Sequence, residues 1–120
     1  MDEITTSGPT VIYRLKEGEI THAEFTPADF GIERSALSEI QGGSVADNVA
    51  ILRRVLEAEA GPYRDAAVIN AAPALVVSGL ASGFVEAVEL AGRTIDSGAA
   101  AALLDRVVAR SRDLSAPEPR

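Results

Sequence analysis

The stretch PYRDAAVINAAPALVVSG, running from Pro62 to Gly79, decides how this chain folds. It carries no charge after Asp65, although charged residues make up 24% of the sequence. An apolar run of this length has to be buried, and it favours a helix because strands usually end after about five or six residues. Pro62 suits a first helical turn, and Gly79 suits the left-handed position that ends a helix. We therefore predict a central, buried helix.

Three residues of this predicted helix have specific structural consequences. Asp65 places a carboxylate near the positive end of the helix dipole. Asn70 must find hydrogen-bond partners, because a buried unpaired amide costs about 1–3 kcal/mol. Pro73 has no backbone N–H to donate to the carbonyl of Ile69, so it predicts a kink in the helix axis.

The composition excludes several classes of function. With 120 residues the chain is one domain or part of one, and its aromatic content of only 4% predicts a core of Ala, Val, Leu and Ile. The net charge of −7 argues against a nucleic-acid partner. The absence of Cys excludes disulfides, thiolate metal sites and a Cys nucleophile, and the single His22 excludes a multi-histidine metal site.

The sequence shows neither a signal peptide nor a membrane span. The longest apolar run is shorter than the roughly 20 residues that a membrane helix needs. We expect a soluble, cytoplasmic protein without a membrane partner.

A β-hairpin is predicted ahead of the helices. Residues 11–16 and 19–25 alternate as strands do, and Glu17 and Gly18 between them favour a tight turn. His22 lies in the second strand. A surface position is favoured over a catalytic role for this lone histidine.

Two short turns and three further helices complete the predicted elements. Thr26-Pro27 opens a turn that Gly31 ends, and a second turn covers residues 35–40. Ser44-x-x-Asp47 resembles a capping box for a helix that should end at Gly61. Its apolar stripe is Val45, Val49, Leu52, Val55 and Leu56. Ser82 and Ser97 are predicted to cap the last two helices. The first of these has Phe84, Val88, Ala91 and Ile95 facing inward, and the second has Leu103, Leu104, Val107 and Val108 as its apolar residues. A frayed, polar tail is expected from Ser111 onward.

Gly42-Gly43 stands just before the helix that starts at Ser44. A phosphate-binding loop is one interpretation of such a pair, but the spacing and the Lys of a P-loop are both absent. Separating one helical segment from the next is the favoured role.

One local group of residues could bind a ligand or take part in a reaction. It consists of Asp2 and Glu3, followed by Thr5-Thr6-Ser7. Two adjacent carboxylates in a loop can ligate Mg²⁺, which prefers hard oxygen ligands and usually takes one or two carboxylates together with phosphates and water. The alternative is a pair of solvated charges near a terminus.

Five motifs in register carry a family resemblance. They are Asp-Glu-Ile-Thr-Thr-x-Gly-Pro-Thr at residues 2–10, Thr-Pro-x-Asp-Phe-Gly at 26–31, Gly-Gly-x-x-x-x-Asn at 42–48, Arg-Asp-x-x-x-x-Asn-Ala-Ala at 64–72 and Ile-Asp-Ser-Gly-Ala at 95–99. Together they resemble the C-terminal portion of the anthranilate phosphoribosyltransferase family, from residue 2 to about residue 110.

The resemblance implies an enzyme of tryptophan biosynthesis that transfers phosphoribosyl from phosphoribosyl pyrophosphate to the amine of anthranilate. It implies Mg²⁺ as cofactor, with Asp2 and Glu3 serving the magnesium-pyrophosphate group, where a metal stabilises charge on the leaving group. Arg64-Asp65 and Asn70 also match family positions, but they are interpreted as a helix start and an internal hydrogen bond. No catalytic residue is assigned.

Parts of the family pattern are not in this sequence. The N-terminal helical domain, the pyrophosphate loop Gly-Thr-Gly-Gly-Asp and the Lys-His-Gly-Asn segment are absent. The resemblance therefore implies a truncated fragment or a split gene product, inactive alone, that self-associates or pairs with a chain carrying the missing half.

The predicted fold class is α/β. Residues 1–112 would form a mostly helical, C-terminal part of the large α/β domain of the nucleoside phosphorylase and phosphoribosyltransferase type, and residues 113–120 a flexible tail. Two alternatives are a fragment similar to pyrimidine nucleoside phosphorylases and a non-catalytic helical interaction module.

Overall fold

The computed structural model of the chain describes residues 3–115. In this range the predicted hairpin and four longer helices are confirmed. The strands are β1 (Thr10–Lys16) and β2 (Glu19–Phe25), and the helices are α1 (Val45–Leu56), α2 (Pro62–Val77), α3 (Phe84–Asp96) and α4 (Ala99–Ser115). Single 3-10 turns, Pro27–Phe30 and Leu37–Ile40, link the hairpin to α1.

The hairpin turn has the geometry that a two-residue loop between antiparallel strands favours. Strands β1 and β2 pair antiparallel, and Lys16 faces Glu19 across the turn. Glu17 and Gly18 both have positive φ, at 53° and 85°. Positive φ at both positions matches the twist of the flanking strands. His22 is exposed and stacks on the ring of Tyr13 at 5.1 Å, so its predicted surface position is confirmed.

Helix α2 begins and ends as its sequence predicts. Pro62 is the first helical residue, and Gly79 takes the left-handed conformation at φ 76°. The N–H of Gly79 donates to the carbonyl of Val76, and the N–H of Leu80 donates to that of Leu75. This pair of bonds satisfies carbonyls that the helix end would otherwise leave open. The helix continues through Pro73, and the kink there remains a prediction.

Only one side of α2 is buried, so the prediction that the whole apolar run is buried is wrong. Ile69 and Ala72 are 0% exposed, whereas Val77 is 88% exposed. The buried side faces α3 and the turn that contains Phe30. The exposed side has no covering element within residues 3–115.

The core consists of two clusters along α2. In the first, the rings of Phe25, Phe30 and Phe84 pack around Ile69, with the Phe30 and Phe84 centroids 4.6 Å apart. The second joins α1, α2 and α3 through Val55, Val68, Ala91 and Ile95. A core dominated by aliphatic residues was predicted, but all three phenylalanines of the sequence meet in the first cluster.

Several helix ends differ from the prediction. Helix α1 ends at Leu56 rather than Gly61, because Ala58 adopts a positive φ of 68° that breaks the helical path. The N-cap of α3 is Gly83, while the N–H and Oγ of Ser82 bind the Glu86 carboxylate. Ser97 is the C-cap of α3 rather than the start of α4.

Helix α4 extends further than expected. It runs to Ser115, past the predicted start of the tail at Ser111, because the first proline of this region is Pro117. Residues 116–120 lie outside the described part of the chain.

The apolar stripe predicted for α1 is mostly uncovered. Val45 is 81% exposed, Val49 and Leu52 are about half exposed, and only Val55 is buried. The apolar residues of α4, which are Leu103, Leu104, Val107 and Val108, also stay partly or largely exposed. The radius of gyration is 16.8 Å, against roughly 14 Å for a compact domain of this length. Helical periodicity located the stripes correctly, but nothing within residues 3–115 covers them.

We expect the isolated chain to self-associate because of this uncovered apolar surface. Contiguous exposed apolar patches drive association, and a two-stranded hairpin adds little stability of its own. Light scattering should show oligomers or a concentration-dependent mass. Replacing Val49 and Leu52 by Gln should lower that mass.

The matched control replaces Arg53 and Glu57 by Gln, since both lie on the polar side of the same helical region. This variant should associate like the parent. A compact, monodisperse monomer with cooperative melting would contradict the prediction and favour an independent module.

Candidate functional site

The segment from Glu3 to Pro9 is held against the helical body at its upstream end by Asn70 of α2. The N–H of Ile4 donates to Asn70 Oδ1 at 2.9 Å, and Asn70 Nδ2 donates back to the Ile4 carbonyl at 2.9 Å. Nδ2 also donates to the carbonyl of Ala66 at 2.9 Å. The amide thus pairs with Ile4 as a neighbouring strand would, and the predicted internal hydrogen bonding of Asn70 is confirmed.

The downstream end of the segment is fixed by the loop before the second short turn. Thr6 is 0% exposed, and Ser35 donates to it twice, from its N–H to the Thr6 carbonyl and from Oγ to Thr6 Oγ1 at 2.8 Å. Arg34 Nε donates to the Ser7 carbonyl at 2.6 Å. The backbone of residues 4–7 is therefore anchored at two places.

Glu3 is exposed at the beginning of this anchored segment, and Asp2 lies outside the described residues. Within residues 3–115 no three His, Cys, Asp or Glu side chains come together as a metal site. The donor set still fits Mg²⁺, since this ion commonly binds one or two carboxylates and fills its remaining positions with water and phosphate oxygens. Of this predicted pair, the structure describes the exposed Glu3 carboxylate.

Gly42 and Gly43 are required by the start of α1. The N–H of Gly43 donates to Asn48 Oδ1 at 2.9 Å, and Asn48 Nδ2 donates to the Gly43 carbonyl. A Cβ on Gly42 would lie 2.7 Å from Asn48 Oδ1, and one on Gly43 would lie 2.8 Å from Asp47 Oδ2. The Gly43 amide is already bound by protein, which supports the structural role favoured for this pair.

The capping box predicted for α1 is present. Ser44 Oγ donates to Asp47 Oδ2 at 2.6 Å, and the Asp47 N–H donates to Ser44 Oγ. These bonds from Ser44 lower the pKa of the Asp47 carboxyl. The box begins the helix that Gly42 and Gly43 precede.

Arg64, which belongs to a matched motif, forms an ion pair between α2 and α3, in which the Asp96 side chain is exposed. Its Nη1 donates to Asp96 Oδ1 at 2.6 Å, and its Nη2 donates to the Gly92 carbonyl. The bond to Asp96 raises the pKa of Arg64 and lowers that of Asp96. Arg64 therefore links α2 to the end of α3.

Asp65 behaves differently from its neighbour. Burial raises its pKa, against the opposing charge of Arg64, and Glu33 nearby raises it further. It lies in the first turn of α2, where the helix dipole favours a carboxylate.

Comparison with known proteins identifies the family. Residues 1–101 match the family described as glycosyl transferase family, a/b domain. The chain belongs to this glycosyl transferase family. The match includes the anchored segment at Glu3, the hairpin, helices α1 to α3 and the start of α4.

Relatives of this glycosyl transferase chain include two curated proteins named anthranilate phosphoribosyltransferase. The one from Rhodopseudomonas palustris strain BisA53 is 48% identical over 111 residues, which is 92% of this chain. The one from Methylocella silvestris is 45% identical over 117 residues, or 98% of this chain. This chain spans about one third of the length of each, 33% and 34% respectively.

The structure supports the same relationship. The crystal structure of anthranilate phosphoribosyltransferase from Thermus thermophilus matches with a TM-score of 0.71 at 30% identity, over 85% of this chain and 35% of that one. The predicted resemblance and the predicted fold class, a mostly helical part of an α/β domain, are both confirmed. No helix within residues 3–115 of this glycosyl transferase chain is long and apolar enough to cross a membrane.

Sequence reasoning missed how the candidate metal segment is held. It required a partner for Asn70 and placed Asp2 and Glu3 in a loop, but it did not connect them. Ile4 and Asn70 are 66 positions apart. The one available signal was that both lie in motifs matching the same family.

Proposed function

We propose that this chain forms the C-terminal part of an enzyme that transfers phosphoribosyl from phosphoribosyl pyrophosphate to anthranilate. The observation that carries this proposal is 48% identity over 111 residues to a protein named anthranilate phosphoribosyltransferase. In the reaction the anthranilate nitrogen bonds to the ribose C1, the bond from C1 to the pyrophosphate oxygen breaks, and the amine loses a proton. The proposal includes a role in tryptophan biosynthesis and a cytoplasmic location.

Within this function, Asp2 and Glu3 would hold Mg²⁺. When bound, the ion supplies positive charge to the pyrophosphate leaving group. The chain's own contribution is to present the Glu3 carboxylate on a backbone whose next residue, Ile4, is fixed to α2. Such fixation limits the reorganisation that a ligand would otherwise have to impose.

The partner implied by this function is a polypeptide carrying the rest of the enzyme. The relatives are about three times as long as the matched region, so roughly two thirds of their sequence lies outside it. The exposed apolar residues of α1 and α4 are available for that polypeptide to cover. Substrates would bind only in the complete assembly.

Complementation tests the proposed function. The chain is co-expressed with the part of the Rhodopseudomonas palustris relative that it does not match, and the two are purified through a tag on one of them. We expect a complex with Mg²⁺-dependent turnover of phosphoribosyl pyrophosphate and anthranilate. The complete relative is the positive control and its partial chain alone is the negative control.

A complex that forms but shows no turnover with either substrate would overturn the transferase assignment. Failure of the two chains to associate, under conditions where the complete relative is active, would overturn the partner assignment.

A further inference from the structure

We propose that Asn70 is a positioning residue for the metal-binding carboxylates, acting through the backbone of Ile4. The inference rests on the proposed function, since Asp2 and Glu3 need a position only if they bind Mg²⁺. The observation behind it is that the Asn70 side chain of α2 binds the backbone of Ile4, the residue immediately after Glu3.

The first step concerns which contact controls Glu3. The bonds from Arg34 and Ser35 reach Ser7 and Thr6, three or four residues downstream. The backbone torsions of the intervening residues could still change while those bonds remain. The bond pair to Ile4 lies one residue from Glu3, so it fixes the direction in which the chain leaves the helical body.

The second step concerns the rigidity of Asn70 itself. Its Nδ2 donates both to Ile4 and to the carbonyl of Ala66, one helical turn earlier, which sets the orientation of the amide plane. Its neighbour Ile69 is 0% exposed in the first core cluster. Glu3 is therefore tied through two residues to the best-packed part of the molecule.

The third step concerns whether Asn70 acts on the metal itself or through the backbone. The Oδ1 of Asn70 accepts from Ile4, and its Nδ2 makes two bonds to carbonyls. Both amide atoms are thus engaged with the protein backbone, and we assign the effect of Asn70 on the metal to its hold on Ile4. If the carboxylates reach their binding geometry in a smaller fraction of molecules, the apparent affinity for the ion falls by that fraction.

The test uses Asn70→Ala and two matched controls on the same helix. Tyr63→Phe removes another side-chain bond to a backbone carbonyl, that of Gln41. Ile69→Val reduces packing in the core cluster against which Ile4 also packs, and it leaves every hydrogen bond of the segment in place. A further variant, Ile4→Pro, removes the Ile4 N–H from the other side of the same bond and leaves α2 unchanged.

The first measurement is amide hydrogen exchange of the parent chain and its variants. We expect Asn70→Ala to raise exchange at Ile4 by about tenfold or more relative to the controls, because the Ile4 N–H loses its acceptor. Exchange at Thr5, whose N–H donates to Thr10 Oγ1, should rise as well, because the segment opens more often once the bonds to Asn70 are lost. Ile4→Pro should raise exchange at Thr5 in the same way. Ile4→Pro also restricts the backbone of Glu3 and removes a side chain that packs against the first core cluster, so it supports the role only together with a variant of Asn70. If Asn70→Ala folds poorly, Asn70→Asp replaces it, because it keeps the size of the side chain and removes the Nδ2 donor.

The second measurement is the Mg²⁺ concentration that gives half-maximal turnover in the complemented enzyme. Asn70→Ala and Ile4→Pro should raise it about fivefold or more and leave the rate at saturating Mg²⁺ within about twofold. Tyr63→Phe and Ile69→Val should leave it unchanged. A residue that only stabilises the fold would lower melting temperature without changing this concentration.

The two measurements separate this inference from the proposed function. If the parent complex has no turnover, the proposed function fails, and hydrogen exchange alone decides whether Asn70 positions the segment. Uniform exchange across parent, Asn70→Ala and Ile4→Pro would overturn the inference. So would an unchanged Mg²⁺ dependence in an active complex.

Discussion

The isolated 120-residue chain is expected to show no measurable turnover with phosphoribosyl pyrophosphate, anthranilate and Mg²⁺. Its sequence has no Gly-Thr-Gly-Gly-Asp loop, which the family resemblance assigns to cradling the pyrophosphate. Holding two reactants in place supplies effective molarities of about 10⁵ to 10⁸ M, equivalent to about 7–11 kcal/mol of the barrier. A chain that cannot orient the two substrates loses that entire contribution.

The measurement is anthranilate consumption by material purified from a host that lacks its own enzyme. The complemented complex, assayed at the same concentration, shows that the preparation is competent. Turnover above background from the isolated chain would contradict the prediction and would mean that residues 1–120 contain a complete site.

Replacing Asp2 by Asn and Glu3 by Gln in the complemented enzyme should reduce the rate by at least about 100-fold, a typical effect of removing a group that stabilises transition-state charge. Both changes keep side-chain size and remove the negative charge that a magnesium ion requires. The same double change should leave assembly of the two chains intact, because Glu3 is exposed.

The assay is turnover across a Mg²⁺ titration, with complex formation measured separately. Glu17→Gln with Glu19→Gln is the matched control, since it removes the same charge from the exposed hairpin turn. If the Asp2 and Glu3 variant keeps the parental rate and metal dependence, these carboxylates are solvated surface charges.

The elements that the sequence predicts well are those encoded by neighbouring residues. The turn at Glu17-Gly18, the capping box of Ser44 and Asp47 and the left-handed Gly79 all follow from local backbone chemistry. Each depends on interactions within a few positions, and each is where the pattern indicates. The predicted N-caps at Ser82 and Ser97 differ from the structure, although both serines do lie at helix ends. Ser82 binds Glu86 from outside the helix, and Ser97 ends one helix instead of starting the next.

Burial was predicted less well because it depends on what lies opposite. The stripe of α1 has helical spacing, but periodicity shows only which side is apolar and not what covers it. Val45 remains 81% exposed, and Leu52 remains 45% exposed at the edge of an open cavity shared with Tyr63 and Ala67 of α2. The candidate site shows the same dependence on distant residues. The sequence predicts that Asn70 needs a hydrogen-bond partner, but it does not identify that partner as Ile4.

Helix α1 has a consequence for how the complete enzyme would assemble. Its N-terminal end is closed by its own residues, through the box of Ser44 and Asp47 and the bonds of Asn48 to Gly43. Its buried attachment to the body is Val55, near the opposite end. An N-cap of this kind contributes about 1 kcal/mol without help from any other element. A partner that covers the stripe therefore meets a helix that is already formed, so association orders side chains rather than a disordered segment, and less of the binding free energy is spent on folding.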